Sequence, residues 1–154
     1  MSSTQAVAQP AGQPAGNPAK PAPRLSAINR PFWQACNDER LMLQRCAAPQ
    51  CRRFVFYPRA CCPHCGGGAL TWEQASGAGT VTTFTVVHRP HHESFYAEAP
   101  FVFAAVTLDE GVLIYTRIEC DPEAVDDLIG TPVEVVFRAL SPTQKAPYFR
   151  PAAR

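Results

Sequence analysis

Apolar and polar residues are distributed unevenly along this chain, and their pattern divides it into three parts. Residues 1–28 are mostly Ala, Pro, Gln, Gly and Ser, with almost no large apolar side chain. A segment of this composition cannot bury enough apolar surface to offset the entropy of ordering it. We therefore predict a disordered tail over residues 1–28, which acts either as a solubilising segment or as one that folds on a partner.

The second part, residues 29–69, predicts a short helix followed by two strands. Pro31 suits the first turn of a helix, and the apolar residues after it recur on one helical face up to about Asp38. Alternating residues at 40–46 predict a strand, and 53–57 predict a second one that ends at a proline. These strands form a hairpin in the expected fold.

The third part, residues 70–154, consists of β-rich runs separated by turn residues. The expected strands are 70–73, 79–88, 101–109, 112–119 and 133–140. A helix is expected over 123–129, because Asp121 can cap it and Gly130 can end it. Five strands with one short helix before the last are typical of an OB-fold, a small, partly open barrel. The fold class is therefore mainly β: a short helix and a zinc ribbon, then a five-stranded OB-fold barrel.

Four cysteines in two close pairs carry the strongest chemical signal. Cys62 and Cys65 are separated by two residues and followed by glycines, and Cys46 and Cys51 are separated by four. Such turns point two thiolates at one place, and two of them supply the four soft ligands of a tetrahedral metal site. We predict a structural zinc at these four residues. Iron is the less favoured alternative, because four thiolates bind either metal.

The three other cysteines do not fit this site. Cys61 is adjacent to a predicted ligand, and neighbouring residues rarely both reach one metal. Cys36 and Cys120 are expected to be small buried residues, and neither has an evident base beside it in the sequence.

Composition restricts the partners. The formal net charge is +1, and all but two of the 14 basic residues are arginines. This balance gives no overall electrostatic case for nucleic acid. The N-terminus lacks a basic segment followed by an apolar run, and no apolar run reaches membrane-spanning length. We expect a cytoplasmic protein without a membrane segment, in a compartment where paired cysteines bind metal more often than they form disulfides.

Histidines crowd one long loop before Pro100. His88, Arg89, His91 and His92 belong to it, and their expected role is either a solvated loop or a contact for an anionic ligand. A lesser alternative makes His88 or His91 an acid or base with Glu93 or Glu98 nearby. No phosphate-cradling loop, nucleophile elbow or metalloprotease helix is present in the sequence.

The ordered chain resembles a bacterial and archaeal family that joins a rubredoxin-like zinc ribbon to an OB-fold, catalogued as domain of unknown function number thirty-five. The resemblance covers about residues 29–152. The matching stretches are PFWQAC at 31–36, LQRC at 43–46, CPHCG at 62–66, SGAGTV at 76–81, FTVVHRP at 84–90, CDPE at 120–123 and IGTPVEV at 129–135.

The resemblance implies a non-catalytic accessory subunit of a thiolase-like enzyme: a sterol-carrier-type thiolase, an aldolase that shortens steroid side chains, or an acyltransferase. Such a subunit binds acyl-CoA or helps to close the partner's acyl-CoA site, so we expect a hetero-oligomer. Phe32 and Trp33 offer an apolar anchor for the partner, and Arg89, Arg138 and Arg150 are the candidates for CoA phosphates.

The alternative function is a single-stranded nucleic-acid binder that uses the ribbon and barrel together. Against it, basic residues are not clustered on the predicted strands, and Phe84, Phe101 and Phe103 are expected in the barrel core. The sequence identifies neither the acyl group nor the partner.

Overall fold

The computed structural model describes residues 19–153, and the first helix in this part of the chain is α1, Arg30–Asn37. Residues 19–26 before it carry no helix or strand, and residues 1–18 of the predicted tail lie outside the described part. Pro31 lies in the first turn, where its missing N–H removes no helical hydrogen bond. Phe32, Ala35 and Cys36 form the buried face, as the apolar spacing predicts.

A three-stranded antiparallel sheet follows α1 and contains one strand more than the predicted hairpin. Its strands are β1, Met42–Cys46, β2, Phe54–Val55, and β3, Leu70–Gln74, in the order β2-β1-β3. The run at 70–73 was expected to start the barrel, and that expectation is wrong. Its register places Leu70 opposite Cys46, so β3 completes the sheet of the ribbon.

Five further strands form a closed barrel with the order β4-β5-β6-β8-β7. They are β4, Ala78–Val87, β5, Phe101–Leu108, β6, Leu113–Ile118, β7, Pro132–Ser141, and β8, Gln144–Pro151. The predicted OB-fold is confirmed, and a tight turn at Gly111 joins β5 to β6 in an antiparallel hairpin. All pairs are antiparallel except β6 with β8, which meet at Ile118 and Phe149.

The prediction omitted the strand that closes the barrel. Strand β8 reads QKAPYFRP, and two prolines in eight residues argue against a central strand. Both prolines are accommodated: Pro147 lies opposite Phe137, Pro151 ends the strand, and the strand pairing of β8 with β6 involves a single residue pair. The side chain of Phe149 is fully buried in the barrel.

The helix predicted over residues 123–129 does not form. Bends and turns occupy this segment, and the only helix in the described barrel region is the 3₁₀ helix Glu93–Glu98 in the loop before β5. The Asp121 carboxylate accepts from the Glu123 N–H, and the Asp127 carboxylate accepts from the Ile129 N–H. These local bonds satisfy backbone donors without a helix, and seven residues are too few for a helix to form on propensity alone.

One continuous core joins α1 to the barrel. It includes Phe32 and Leu43 from the front of the chain together with Val106, Ile118 and Phe149 from the barrel. The expectation that Phe103 belongs to the core is wrong, because its side chain is 39% exposed on the outer face of β5. Phe84 is partly buried against the core, in agreement with its prediction.

Hydrogen bonds also fix α1 to the β7–β8 turn. The Gln144 amide donates to the backbone carbonyl of Trp33 at 3.0 Å and to the Asn37 side-chain oxygen at 3.0 Å. The same oxygen accepts from the Lys145 N–H at 2.8 Å. The helix therefore has a defined position against the barrel. No helix in residues 19–153 is long and apolar enough to cross a membrane.

The close approach of β4 to β5 generates a prediction for stability. A Cβ at Gly79 would lie 2.7 Å from the Thr107 carbonyl oxygen, while a Cβ at Gly68 would meet nothing within 4 Å. We expect Gly79→Ala to lower the free energy of unfolding by about 2 kcal/mol, because backbone must move to accept the methyl group. Gly68→Ala should change it by less than about 0.5 kcal/mol. Equal effects in urea titrations of both variants would contradict this packing.

Candidate metal centre and aromatic groove

Four sulfur atoms converge at the tip of the ribbon, as the cysteine spacing predicts. The Sγ atoms of Cys46, Cys51, Cys62 and Cys65 all lie within 4.8 Å of one another. The distance from Cys46 to Cys65 is 3.6 Å, and from Cys51 to Cys62 it is 3.7 Å. A tetrahedron with metal–sulfur bonds of about 2.3 Å has edges of about 3.8 Å. The four side chains therefore fit a single tetrahedral metal ion.

Two backbone turns aim these sulfurs. In the first, the N–H groups of Cys51 and Arg52 both donate to the Ala48 carbonyl, at 2.9 and 3.1 Å. In the second, the Gly66 N–H donates to the Cys62 carbonyl at 2.8 Å, and Gly66 has the positive φ of 75° that this turn requires. Although four residues separate Cys46 from Cys51, a turn at Ala48 thus brings their side chains together.

Electrostatics favour a cation at this point. The Ala48 N–H lowers the pKa of the Cys46 thiol, but desolvation and the neighbouring sulfurs outweigh it and raise that pKa to about 12. Desolvation raises the pKa of Cys62, but backbone N–H groups of His64 and Cys65 and two neighbouring thiols lower it to about 7. A metal dication bound here would stabilise the thiolate form of the sulfurs that ligate it.

The remaining cysteines stay outside the cluster, as expected. Cys36 is fully buried in α1, and desolvation raises the pKa of its thiol to about 12. Burial is also the main reason that the pKa of Cys120 is raised. Cys61 is exposed beside the cluster.

A second feature is an apolar cleft of about 400 Å³ between the ribbon and the barrel, which we call the aromatic groove. One wall comes from α1 and the segment after β2, and the other comes from the outer face of the barrel and the 3₁₀ helix. The aromatic residues that line it are Phe32, Trp33, Phe56, Tyr57, Phe95, Phe101, Phe103, Tyr115 and Tyr148. This size and composition are typical of ligand-binding clefts.

Contacts between rings order both walls of the aromatic groove. Phe32 meets Phe56 with ring centroids 5.5 Å apart, so α1 is packed on the ribbon. On the barrel wall, Phe103 and Tyr115 stack with centroids 6.4 Å apart and planes only 10° from parallel. Tyr57 and Tyr115 remain 54% and 55% exposed. The mouth of the groove is therefore a surface of accessible aromatic rings.

One cation lies in this apolar surface. The Arg117 guanidinium stands over the Phe101 ring at 3.6 Å from its centroid and lies 5.1 Å from that of Phe95. Its Nη1 donates to the Glu98 carboxylate at 2.5 Å, and Lys20 forms an ion pair with the same carboxylate. Partial burial raises the pKa of Glu98, but hydrogen bonds from Lys20 and Arg117 outweigh it and hold that pKa below its usual range.

The arginines proposed from sequence lie elsewhere on the barrel. Arg138 on β7 makes a two-bonded ion pair with Glu119, at 2.5 and 2.6 Å. Arg150 on β8 lies opposite Glu134 and donates to it at 2.8 Å. Arg89 lies in the loop after β4, beside a smaller cavity of about 190 Å³ that His88 and Tyr96 also line. None of the three lines the aromatic groove.

The histidine loop is partly accounted for by local structure. The Nδ1 atom of His92 accepts from the Ser94 N–H at 3.2 Å and lies 2.7 Å from its hydroxyl, so His92 caps the 3₁₀ helix. Glu98, one of the two carboxylates considered as a partner for His88 or His91, is bonded to Arg117 instead.

Sequence reasoning did not single out Tyr115 and Arg117. Strand β6 alternates between exposed or half-buried and buried residues, so these two residues share its outer face. The sequence alone places Tyr115 and Arg117 on one face of the strand, on either side of Thr116. It does not show that α1 and the ribbon lie close to this face and form a groove with it.

Comparison with known proteins agrees with this architecture. Two protein-family models match the chain. The family described as the rubredoxin-like zinc ribbon domain of ChsH2 matches residues 33–71, and the family described as the C-terminal OB-fold domain of ChsH2 matches residues 72–138. Among solved structures, a chain of the Ltp2-ChsH2(DUF35) aldolase is similar, with a TM-score of 0.74 and 35% identity. That similarity covers 86% of this chain and 100% of the other.

Curated relatives match over unequal lengths. A probable enoyl-CoA hydratase alpha subunit of Thermomonospora curvata is 36% identical over 134 residues, which are 86% of this chain and 40% of that protein. A DUF35 domain-containing scaffold protein of Methanothermobacter thermautotrophicus is 38% identical over 91 residues, which are 58% of this chain and 66% of that protein. This chain thus spans less than two thirds of both relatives. With its four-cysteine ribbon, its OB-fold barrel and these similarities, the chain belongs to the DUF35 family of ChsH2-type zinc-ribbon and OB-fold proteins.

Proposed function

We propose that this protein is an accessory subunit of a thiolase-like enzyme, and that it helps to form the acyl-CoA site of its partner. The observation that carries the proposal is the open aromatic groove, because exposed aromatic rings around an apolar cleft mark a site that binds a ligand or another protein. The similarity to a chain of an aldolase assembly and to scaffold proteins supports a protein partner. In this proposal the partner supplies the groups that make and break bonds.

The three arginines at 89, 138 and 150 stay the candidates for contacts with CoA phosphates. Arg138 and Arg150 each hold a carboxylate, so a phosphate would have to compete with Glu119 or Glu134. Arg89 makes no ion pair with any carboxylate of residues 19–153 and is exposed. Of the three, Arg89 is therefore the one that can bind a phosphate without first breaking an ion pair within residues 19–153.

We propose zinc as the ion of the four-cysteine centre. A structural role with four thiolates suits a metal without redox chemistry, and zinc in this setting supplies folding energy directly. Apparent stabilisation by structural zinc in finger peptides is about 10–16 kcal/mol. The ribbon needs such a source, because the cluster at its tip contains only Cys46, Val55 and Cys62 as buried apolar residues.

Neighbouring cysteines provide a matched test of the metal centre. We expect purified protein to contain about one zinc per chain. Cys62→Ser should reduce bound zinc at least tenfold, because it removes a buried ligand, whereas Cys61→Ser should retain it, because that side chain is exposed outside the cluster. Metal analysis by mass spectrometry measures both. Full zinc occupancy in the Cys62→Ser variant would contradict the assignment, and iron in place of zinc would correct the ion.

Co-expression tests the accessory role. We expect this chain to co-elute in size-exclusion chromatography with a thiolase-like protein from the same genome, and to raise that partner's turnover of acyl-CoA. Tyr57→Ala with Tyr115→Ala should weaken the complex at least tenfold, because both exposed rings border the groove. Ile129→Ala, which shortens a 60% exposed apolar side chain absent from the groove lining and from the cavity beside Arg89, serves as the control. Separate elution, with unchanged activity of the partner, would reject the role.

One observation favours the second candidate, single-stranded nucleic-acid binding. The stacked pair Phe103 and Tyr115 lies on adjacent barrel strands and is accessible, as in OB-folds that stack bases. Against this candidate, Arg117, which lines the same groove, is paired with Glu98, and the net charge is only +1. We therefore expect no gel shift with a single-stranded 20-mer at low salt. A shift that disappears as salt is raised would favour nucleic acid over the accessory role.

A further inference from the structure

We propose that Arg117 is the specificity-determining residue of the aromatic groove, and that the groove takes a flat apolar group carrying an anionic oxygen that Arg117 binds. The proposal deepens the accessory function, because it states what part of a ligand this chain recognises. It concerns binding by this chain alone and involves no chemical step.

The first support is the fixed position of the guanidinium. Arg117 stands over Phe101 at 3.6 Å and is also within 5.7 Å of the Tyr148 ring. Its side chain is only 15% exposed, and Glu98 holds one end of it. A cation placed between rings in this way has lost its freedom before any ligand arrives, so a ligand bound to it incurs little further ordering cost.

The second support is the charge at this end of the groove. Lys20 and Arg117 carry two positive charges, and Glu98, whose pKa is held below its usual range, carries one negative charge. The trio therefore has a net charge of +1 beside an apolar surface. An anionic oxygen there would complete the neutralisation, while a second cation would be repelled.

The third support is the unused donor capacity of Arg117. A guanidinium has five N–H donors, and the recorded hydrogen bond of the Arg117 side chain uses only Nη1. None of its nitrogen atoms is buried without a partner, since the Glu110 carboxylate contains the only such side-chain atom in residues 19–153. The other nitrogen atoms of Arg117 are therefore not fully buried, and the residue that carries them lines the groove.

The shape of the groove favours a flat apolar body. Aromatic rings, among them those of Trp33, Phe103 and Tyr115, line it, and its volume of about 400 Å³ can hold two or three fused or linked rings. Offset stacking on such rings adds to the free energy of apolar burial. Among residues 19–153, Arg117 is the only charged side chain in the lining of this cavity, so in our proposal it decides which polar group is accepted.

A matched pair of fluorescent probes separates the two contributions. 8-Anilino-1-naphthalenesulfonate is flat, apolar and anionic, and N-phenyl-1-naphthylamine has the same ring skeleton without the sulfonate. We expect both to bind the full chain with one site. Arg117→Gln should weaken the sulfonate probe at least tenfold and the neutral probe less than twofold, with partial recovery in Arg117→Lys. Trp33→Ala should weaken both probes, because it removes a wall of the groove.

Arg40→Gln is the control for loss of one positive charge, because Arg40 pairs with Asp38 on the surface and does not line the groove. It should leave both affinities unchanged. Near-ultraviolet circular dichroism and zinc content identify any variant that has lost its fold. If Arg117→Gln is such a variant, the two probes are compared on Arg117→Lys instead. Equal weakening of both probes by loss of Arg117, or no saturable binding of either probe to the wild type, would overturn the proposal.

The probe titration and the co-elution experiment can fail separately. Probe binding without co-elution would support the groove proposal and reject the accessory role. Co-elution without probe binding would support the accessory role and overturn the groove proposal.

Discussion

The convergence of four sulfur atoms is the constraint on which the front of this protein depends. The ribbon consists of a two-residue strand, two five-residue strands and two turns, and its tip has only three buried apolar residues. A metal ion that binds Cys46, Cys51, Cys62 and Cys65 joins the turn after β1 to the turn before β3. Folding of this lobe and binding of the metal are then one equilibrium, as in other small metal-bound domains.

None of the four sulfurs belongs to a barrel strand, and the barrel is connected to the front of the chain by other contacts. Helix α1 packs Phe32 and Cys36 into the same core as Phe149, and Gln144 bonds the helix to the β7–β8 turn. The aromatic groove lies where α1, the segment after β2 and the barrel come together. Phe56 and Tyr57 lie in the chain between Cys51 and Cys62, and Phe56 contacts Phe32 of α1. We therefore expect a change at the metal centre to alter the groove by moving these two rings, which line it.

How far the sequence predicts this protein depends on whether the signal is local. The cysteine spacing predicted the four-sulfur cluster, and Pro31 with the residues after it predicted α1, because both depend on nearby residues. The helix over 123–129 was wrong because Asp121 and Asp127 satisfy the backbone locally. Strand β8 was missed because its prolines are tolerated only in this tertiary context, and β3 was assigned to the barrel because its partner, β1, is distant in sequence. The groove combines residues from all three parts, so no single window of sequence contains it.

Hydrogen exchange followed by mass spectrometry, before and after removal of the metal with a chelator, tests most directly whether a metal ion holds the ribbon together. We expect protection to be lost at the turns, where the Cys51, Cys62 and Gly66 N–H groups are bonded, and across β2 and the segment through Tyr57. Protection in the barrel strands, such as β5, should persist. Unchanged exchange of the ribbon in protein shown to be metal-free would contradict the claim that a metal ion holds this lobe together.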